Sequence, residues 1–181
     1  VLSESHAIMC YLCNKYNWSD FYPADLEDRA KVDSYLHLHH RNVREASIGL
    51  VAPKVRKDLN FSEDFLATSR SNIEKAFKAI EYGWLNDSRF LVGDSMTIAD
   101  ISAYVEIGQL QDIFTNVYNF ESFPNIQKWL NEMRNVDCHD VIHVALYELG
   151  DISAEAPTME KIINANKKAF QVIQEKLNQI K

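Results

Sequence analysis

Four stretches of this chain carry residue types and spacings that could do chemistry. The first is Ser3-Glu4-Ser5, set directly before the apolar stripe Ala7, Ile8, Tyr11 and Leu12. The stripe reads as a helix over Glu4–Tyr16, so the polar trio stands at a helix N-terminus. Unpaired amides and a partial positive charge there favour a carboxylate or phosphate. Ser5 adds a hydroxyl donor, whereas Glu4 opposes a bare anion. A zwitterion resolves the conflict: its ammonium group pairs with Glu4 while its carboxylate rests on Ser5, as the end of an α-amino acid can. Simple capping of the helix by serine explains the same residues, and physics alone leaves both readings open.

The second stretch, Cys10-Tyr11-Leu12-Cys13, has C-x-x-C spacing. A redox pair needs its thiolate at a helix N-terminus, and this pair lies several residues inside the helix among apolar neighbours. It therefore reads as structural thiols. The third, His139-Asp140-Val141-Ile142-His143, places two imidazoles at i and i+4. Zinc would need a third ligand and a general base; Asp140 is short for that task, so no metal is assigned. The fourth, His37, His39 and His40, offers one i, i+3 pair and reads as packed or exposed histidines. Neither a G-x-S-x-G turn nor a phosphate-cradling glycine loop is present.

Stepping outward, 181 residues suffice for one domain or a domain plus a fragment. With 46% apolar and 25% charged residues, the composition is that of a soluble globular chain. A net charge of −7 argues against nucleic acid or an anionic membrane as partner. Lys54, Arg56 and Lys57 read as a solvated helix face. No apolar run is long enough to span a bilayer, and three cysteines suit a reducing, cytoplasmic setting.

The elements that must position these residues are helical nearly throughout, and the fold class is all-α. Asn17 to Pro23 reads as an aromatic linker. Asp25, with Asp28 three residues on, opens a second helix running past Arg44 into an Ala52-Pro53 break. Ser62 opens a third, with Phe65, Ile73, Ala76, Phe77, Ile80 and Trp84 on its apolar face. Gly93-Asp94-Ser95 is a turn. Thr97 and Asp100 form a capping box, with Met96 and Ile101 placed as its hydrophobic staple. Ser122-Phe123-Pro124 opens a helix with Ile126, Trp129, Leu130 and Met133 inward. Val141–Leu149 is a short helix, and a last one from Thr158 to the C-terminus carries Ile162, Ile163, Ala169, Phe170, Ile173 and Leu177 as its stripe.

Read against known families, Leu2-Ser-Glu-Ser-His-Ala-Ile-Met-Cys-Tyr-Leu12 resembles the Glu-Ser-x-Ala-Ile-x-x-Tyr-Leu stretch of glutathione transferases. Phe21 to Leu26, Arg29 to Asp33 and His40-Arg41-Asn42-Val43-Arg44 are similar to the interdomain linker and first C-domain helix of the theta class. Phe90-Leu91-Val92-Gly93-Asp94 with Thr97-Ile98-Ala99-Asp100 resembles the segment in which the family places its capping box and staple. Phe123 to Ile126 and Trp129 are similar to the helix after it. The likeness covers about Leu2 to Val136.

The resemblance implies a theta-like glutathione transferase fragment. Residues 1–16 would be the last helix of a truncated thioredoxin-like glutathione-binding domain, 17–24 the interdomain linker, and 25–181 the all-helical C-terminal domain. Glu4 and Ser5 would bind the γ-glutamyl end of glutathione, the co-substrate. Arg44 would assist glutathione or an anionic product group, while His40 and Val43 would wall the electrophile pocket. A homodimer is implied, with no nucleic-acid or membrane partner. The thiolate-activating residue and the cis-proline loop of the family have no counterpart in these residues. No catalytic residue is therefore assigned, and the 181 residues alone are expected to be inactive. Two other readings remain at this point: a non-catalytic module of the same fold used for protein assembly, and a helical carrier of apolar ligands.

Overall fold

In the computed structural model, which describes residues 1–40 and 42–180, nine α-helices follow one another with no strand among the described residues. Helix α1 (Ser5–Tyr16) leads through Asn17, whose φ of 55° is left-handed, into the aromatic linker. The linker is fastened rather than loose. The Tyr22 hydroxyl donates to Asp33 at 2.8 Å, and the Ile98 amide donates to the Phe21 carbonyl at 2.9 Å. Helix α2 (Leu26–His39) opens on Asp25, whose carboxylate accepts from the Glu27 and Asp28 amides at 2.9 and 3.0 Å.

The second helix stops far short of the expected Ala52-Pro53 break. After His39 the α ladder gives way: the Arg44 amide donates five residues back to the His39 carbonyl, and Ala46 donates three back to Val43. The chain re-forms as a π-helical turn (Ser47–Val51) and then as α3 (Ala52–Val55), in which Pro53 sits in the first turn. His39, His40, Asn42 and Val43 are weak helix formers, and the buried His39 faces Ser102 of α5. Pro53 is tolerated because early amides of a helix need no intrahelical partner. The break carries Arg44 out of the helix.

Helix α4 (Glu63–Ala79) is capped by Ser62, which accepts from the Phe65 amide at 3.2 Å, and it runs into a π-helical turn (Ile80–Trp84). Ile73, Ala76, Phe77 and Ile80 are buried as the spacing predicts, whereas Phe65 is exposed. Gly93 takes a φ of 72° in the turn before α5, a conformation that favours glycine. Helix α5 (Ile98–Ile107) is the central element, buried along most of its length and packed on α1 and α2. Its capping box closes: Asp100 accepts the Thr97 amide at 2.9 Å and Thr97 accepts the Ala99 amide at 3.2 Å. The same carboxylate takes the Leu91 amide at 2.8 Å and the Trp129 indole at 3.0 Å. Met96 and Ile101 are both half-buried.

Helix α6 (Pro124–Arg134) buries Ile126, Trp129, Leu130 and Met133, but Ser122 does not cap it. Its amides at Asn125 and Ile126 instead donate to the buried Glu81 carboxylate at 3.0 and 2.9 Å. The expected single helix over Val141–Leu149 is two: α7 (His139–Ile142) and α8 (Val144–Leu149), broken at His143. There the His139 carbonyl accepts both the His143 amide at 3.1 Å and its ring nitrogen at 2.7 Å. Helix α9 (Met159–Ile180) packs on α7 and α8. Its inward face keeps one edge of the expected stripe, with Ala169 buried and Ile162 and Ile173 half-buried, and loses the other. Ala165 and Ala169 are buried, while Ile163, Phe170 and Leu177 remain exposed, because the small alanines let α9 sit close on its neighbours.

Candidate functional site

The N-terminus of α1 begins one residue later than its sequence reads. Glu4 is the capping position, with φ 68° and ψ 117°, and its side chain accepts no capping hydrogen bond. A positive φ is unfavourable for a residue with a Cβ. The first turn of α1 closes when the Ile8 amide donates to the Glu4 carbonyl at 3.0 Å. Ser5 is therefore the first helical residue, and the leading amides lack intrahelical partners by the geometry of any helix start. Glu4 and Ser5 stand on the open surface.

Directly behind them His6 forms the hub that the sequence reading passed over. Its Nε2 lies 2.6 Å from the Ser102 hydroxyl, which His39 approaches at 3.4 Å from the other side. The His6 ring also packs against those of His39 and His40, with centroids 5.0 and 4.7 Å away. Burial lowers the His6 pKa, and His40 and Arg44 push the same way, while Glu4 opposes them. Of these groups His40 touches the imidazole, and Glu4 and Arg44 act on it as charges. Burial, with His6, His40 and Arg44, takes His39 down to about 4. At neutral pH the inner ring of this cluster is uncharged.

Arg44 reaches back across the break. Its Nη1 donates to the Glu106 carboxylate at 3.1 Å, with the Arg44 side chain 57% exposed and that of Glu106 only 5%. Val43 is buried and lines a cavity of about 50 Å³ together with Tyr35, His39 and Trp84. His40 is exposed and does not line it. The structure thus packs His40 on His6, pairs Arg44 with Glu106, and separates His40 from the Val43 cavity. Arg41, part of the stretch that resembles the theta class, lies outside the described residues, as does Lys181. The missed residues His6, Ser102 and Glu106 had one legible signal: Ser102 and Glu106 stand at i and i+4 in a mostly apolar helix whose other charged residue, Asp100, serves the capping box.

The other motifs resolve as structure. Cys13 is buried and Cys10 half-buried, and burial raises both thiol pKa values, the opposite of a redox pair. His139 is buried with both ring nitrogens occupied, Nε2 by the Tyr104 hydroxyl at 2.8 Å and Nδ1 by Asp140 at 3.0 Å. Among the described residues no group of three or more His, Cys, Asp or Glu side chains could hold a metal, and no helix is long and apolar enough to cross a membrane.

Comparison with known proteins fits this framework. Residues 43–137 match the family described as Glutathione S-transferase, C-terminal domain. The chain is 33% identical over 134 residues to glutathione S-transferase theta-1 of Gallus gallus, covering 71% of this chain and 50% of that protein. Against theta-2 of Rattus norvegicus it is 34% identical over 133 residues, covering 71% and 54%. It thus spans about half the length of these curated relatives. Among solved structures, human glutathione-S-transferase T1-1 in its apo form superposes with a TM-score of 0.70 at 24% identity, covering 95% of this chain and 74% of that one. Human theta-2, solved in complex with glutathione and an unknown ligand, gives 0.68 at 23%, covering 94% and 74%. These two structures share the fold. With the central helix, its capping box and the helices around it in the same family frame, this chain belongs to the glutathione S-transferase C-terminal-domain family and is theta-like within it.

Proposed function

We propose that this chain is part of a theta-like glutathione transferase that joins the glutathione thiolate to small electrophiles, with Glu4 and Ser5 receiving the γ-glutamyl end of glutathione. The observation that carries the reading is the start of α1: Glu4 holds a strained backbone while its carboxylate caps nothing. A residue kept only as a cap would spend its side chain on the helix amides. Left outward, the carboxylate pairs an ammonium group, and the adjacent hydroxyl and amides of Ser5 take the carboxylate of the same ligand end. Arg44 adds a cationic contact for the ligand. Val43 borders the space for the electrophile, while His40, which the resemblance also assigns to that wall, stands apart from it in the histidine cluster.

Residues 1–16 are taken as the last helix of a thioredoxin-like domain, 17–24 as the linker and 25–181 as the helical domain. Thiol activation, which requires a donor that lowers the thiol pKa, is assigned to no residue of this chain. The protein is proposed to work as a homodimer in the cytoplasm, a setting that suits its three free cysteines. The test is conjugate formation. The natural-length protein, given glutathione and a panel of small alkyl and aryl electrophiles, is expected to yield glutathione adducts by mass spectrometry. It is also expected to be retained on immobilised glutathione, with retention lost in Ser5→Ala. A natural-length protein neither retained nor forming any adduct would overturn the reading.

A further inference from the structure

Glu106 holds a buried carboxylate near the end of α5, and the groups around it fix its direction. The Ser47 hydroxyl donates to Oε2. That hydroxyl is itself held by Gln109, whose Nε2 donates to it at 2.6 Å while also reaching the carbonyls of Val105 and Glu106. Oε1 accepts from Arg44 at 3.1 Å, and the His39 Nε2 lies 4.0 Å away. The neutral His39 brings no charge, so Arg44 is the cation that balances this carboxylate. A buried carboxylate without a cation is costly. The pair therefore differs from an ordinary surface ion pair, in which both partners are solvated and the geometry is loose.

The consequence falls on Arg44. It sits in the irregular segment after α2, where nothing helical sets its direction, and a free arginine side chain loses considerable rotamer entropy on binding a ligand. With one Nη committed to Glu106, the guanidinium is fixed in place, and its remaining donors are left on the exposed side. It shares the Glu106 carboxylate with His39, whose ring packs 5.0 Å from that of His6, one residue from Ser5. The pre-ordered fork is thus linked, through Glu106 and His39, to the imidazole behind the N-terminus of α1.

We propose that Glu106 is a positioning residue: its buried carboxylate, oriented by Ser47 and Gln109, holds Arg44 ready to take an anionic group of the ligand seated at Ser5. This deepens the glutathione reading and rests on it. Glu106 itself touches no ligand.

The experiment is a double-mutant cycle read as glutathione affinity by isothermal titration calorimetry on the natural-length protein, with thermal unfolding measured in parallel. Arg44→Ala is expected to weaken binding about tenfold, the size of one charge-assisted contact. Glu106→Gln keeps the shape and is expected to cost about the same, with the double variant losing little more. Should Glu106→Gln fold poorly, Ser47→Ala loosens the carboxylate without unpairing its charge and is expected to weaken binding about threefold. A purely structural carboxylate would shift the melting temperature and leave affinity untouched. If wild type binds, Ser5→Ala abolishes binding and Glu106→Gln and Ser47→Ala bind as wild type, the positioning role is refuted while the glutathione site stands. If wild type shows no binding, both are refuted. Losses that simply add in the double variant also refute the coupling.

Discussion

Replacing Asp100 by asparagine tests the scaffold that holds α1, α2 and α6 in register. The carboxylate is fully buried and its two oxygens divide the labour. Oδ1 accepts from the Leu91 amide at 2.8 Å and the Trp129 indole at 3.0 Å; Oδ2 accepts from the Thr97 amide at 2.9 Å and the Thr97 hydroxyl at 3.0 Å. Asparagine keeps one acceptor oxygen and turns the other into a donor, so whichever way the amide lies, a pair of donors faces an NH₂ group. A buried donor left unsatisfied costs about 1–3 kcal/mol, and removing a buried charge returns part of that. The Thr97 hydroxyl can rotate to another acceptor, so the net cost is about 2–4 kcal/mol. For a chain of this size that lowers the melting temperature by about 5–12 °C. Urea unfolding followed by circular dichroism gives the energy, and the Trp129 indole proton in an NMR spectrum reports on the lost bond directly. A variant within about 0.5 kcal/mol of wild type, with an unmoved indole resonance, would refute the reasoning.

Glu81 caps α6 from a distance, so Glu81→Gln is expected to cost about 2 kcal/mol by denaturant unfolding, since one of the Asn125 and Ile126 amides loses its acceptor. Tyr35 is buried with no hydrogen-bond partner for its hydroxyl among the described residues; Tyr35→Phe is expected to leave stability unchanged or raise it by up to about 1 kcal/mol, and a loss beyond that shows that the hydroxyl has a partner. The histidine cluster predicts a pH dependence. His39 titrates at about 4 in the folded chain against 6.5 unfolded, and His6 is lowered too. The unfolded state therefore binds protons first, and the stability contributed by the neutral rings is complete above about 6.5 and drains away as pH falls toward 4. Unfolding energies are expected to drop by about 2–3 kcal/mol across that window. His39→Gln is expected to flatten the slope, and a flat wild-type profile would contradict the assignment.

Much of this fold was legible because its signals are local. The box at Thr97 and Asp100, the Ser62 cap and the 3.6-residue stripe through Ile126, Trp129 and Met133 each depend on residues within a turn or two of one another. Sequence reasoning lost ground where an element's fate depends on distant groups. The end of α2 at His39 reflects a commitment to Ser102, 63 positions away, and the cap of α6 comes from Glu81, 45 positions before Ile126. The stripe of α9 was drawn too wide: apolar periodicity marks an arc of the helix, of which the edge through Ile162, Ala169 and Ile173 packs while Ile163, Phe170 and Leu177 stay exposed. At the candidate site, Glu4 and Ser5 were proposed from helix-end electrostatics and then from resemblance, Arg44 from resemblance alone, and the partners His6, Ser102 and Glu106 were missed because they bond across the sequence.

The most direct measurement of the central claim is calorimetric titration of glutathione into the natural-length protein beside its Ser5→Ala and Glu4→Gln variants. The account predicts saturable binding by wild type with one glutathione per chain, weakened at least tenfold by either change, because each removes a partner for one end of the ligand's zwitterion. Equal affinity in all three proteins would place glutathione elsewhere and leave the start of α1 as nothing more than the beginning of a helix.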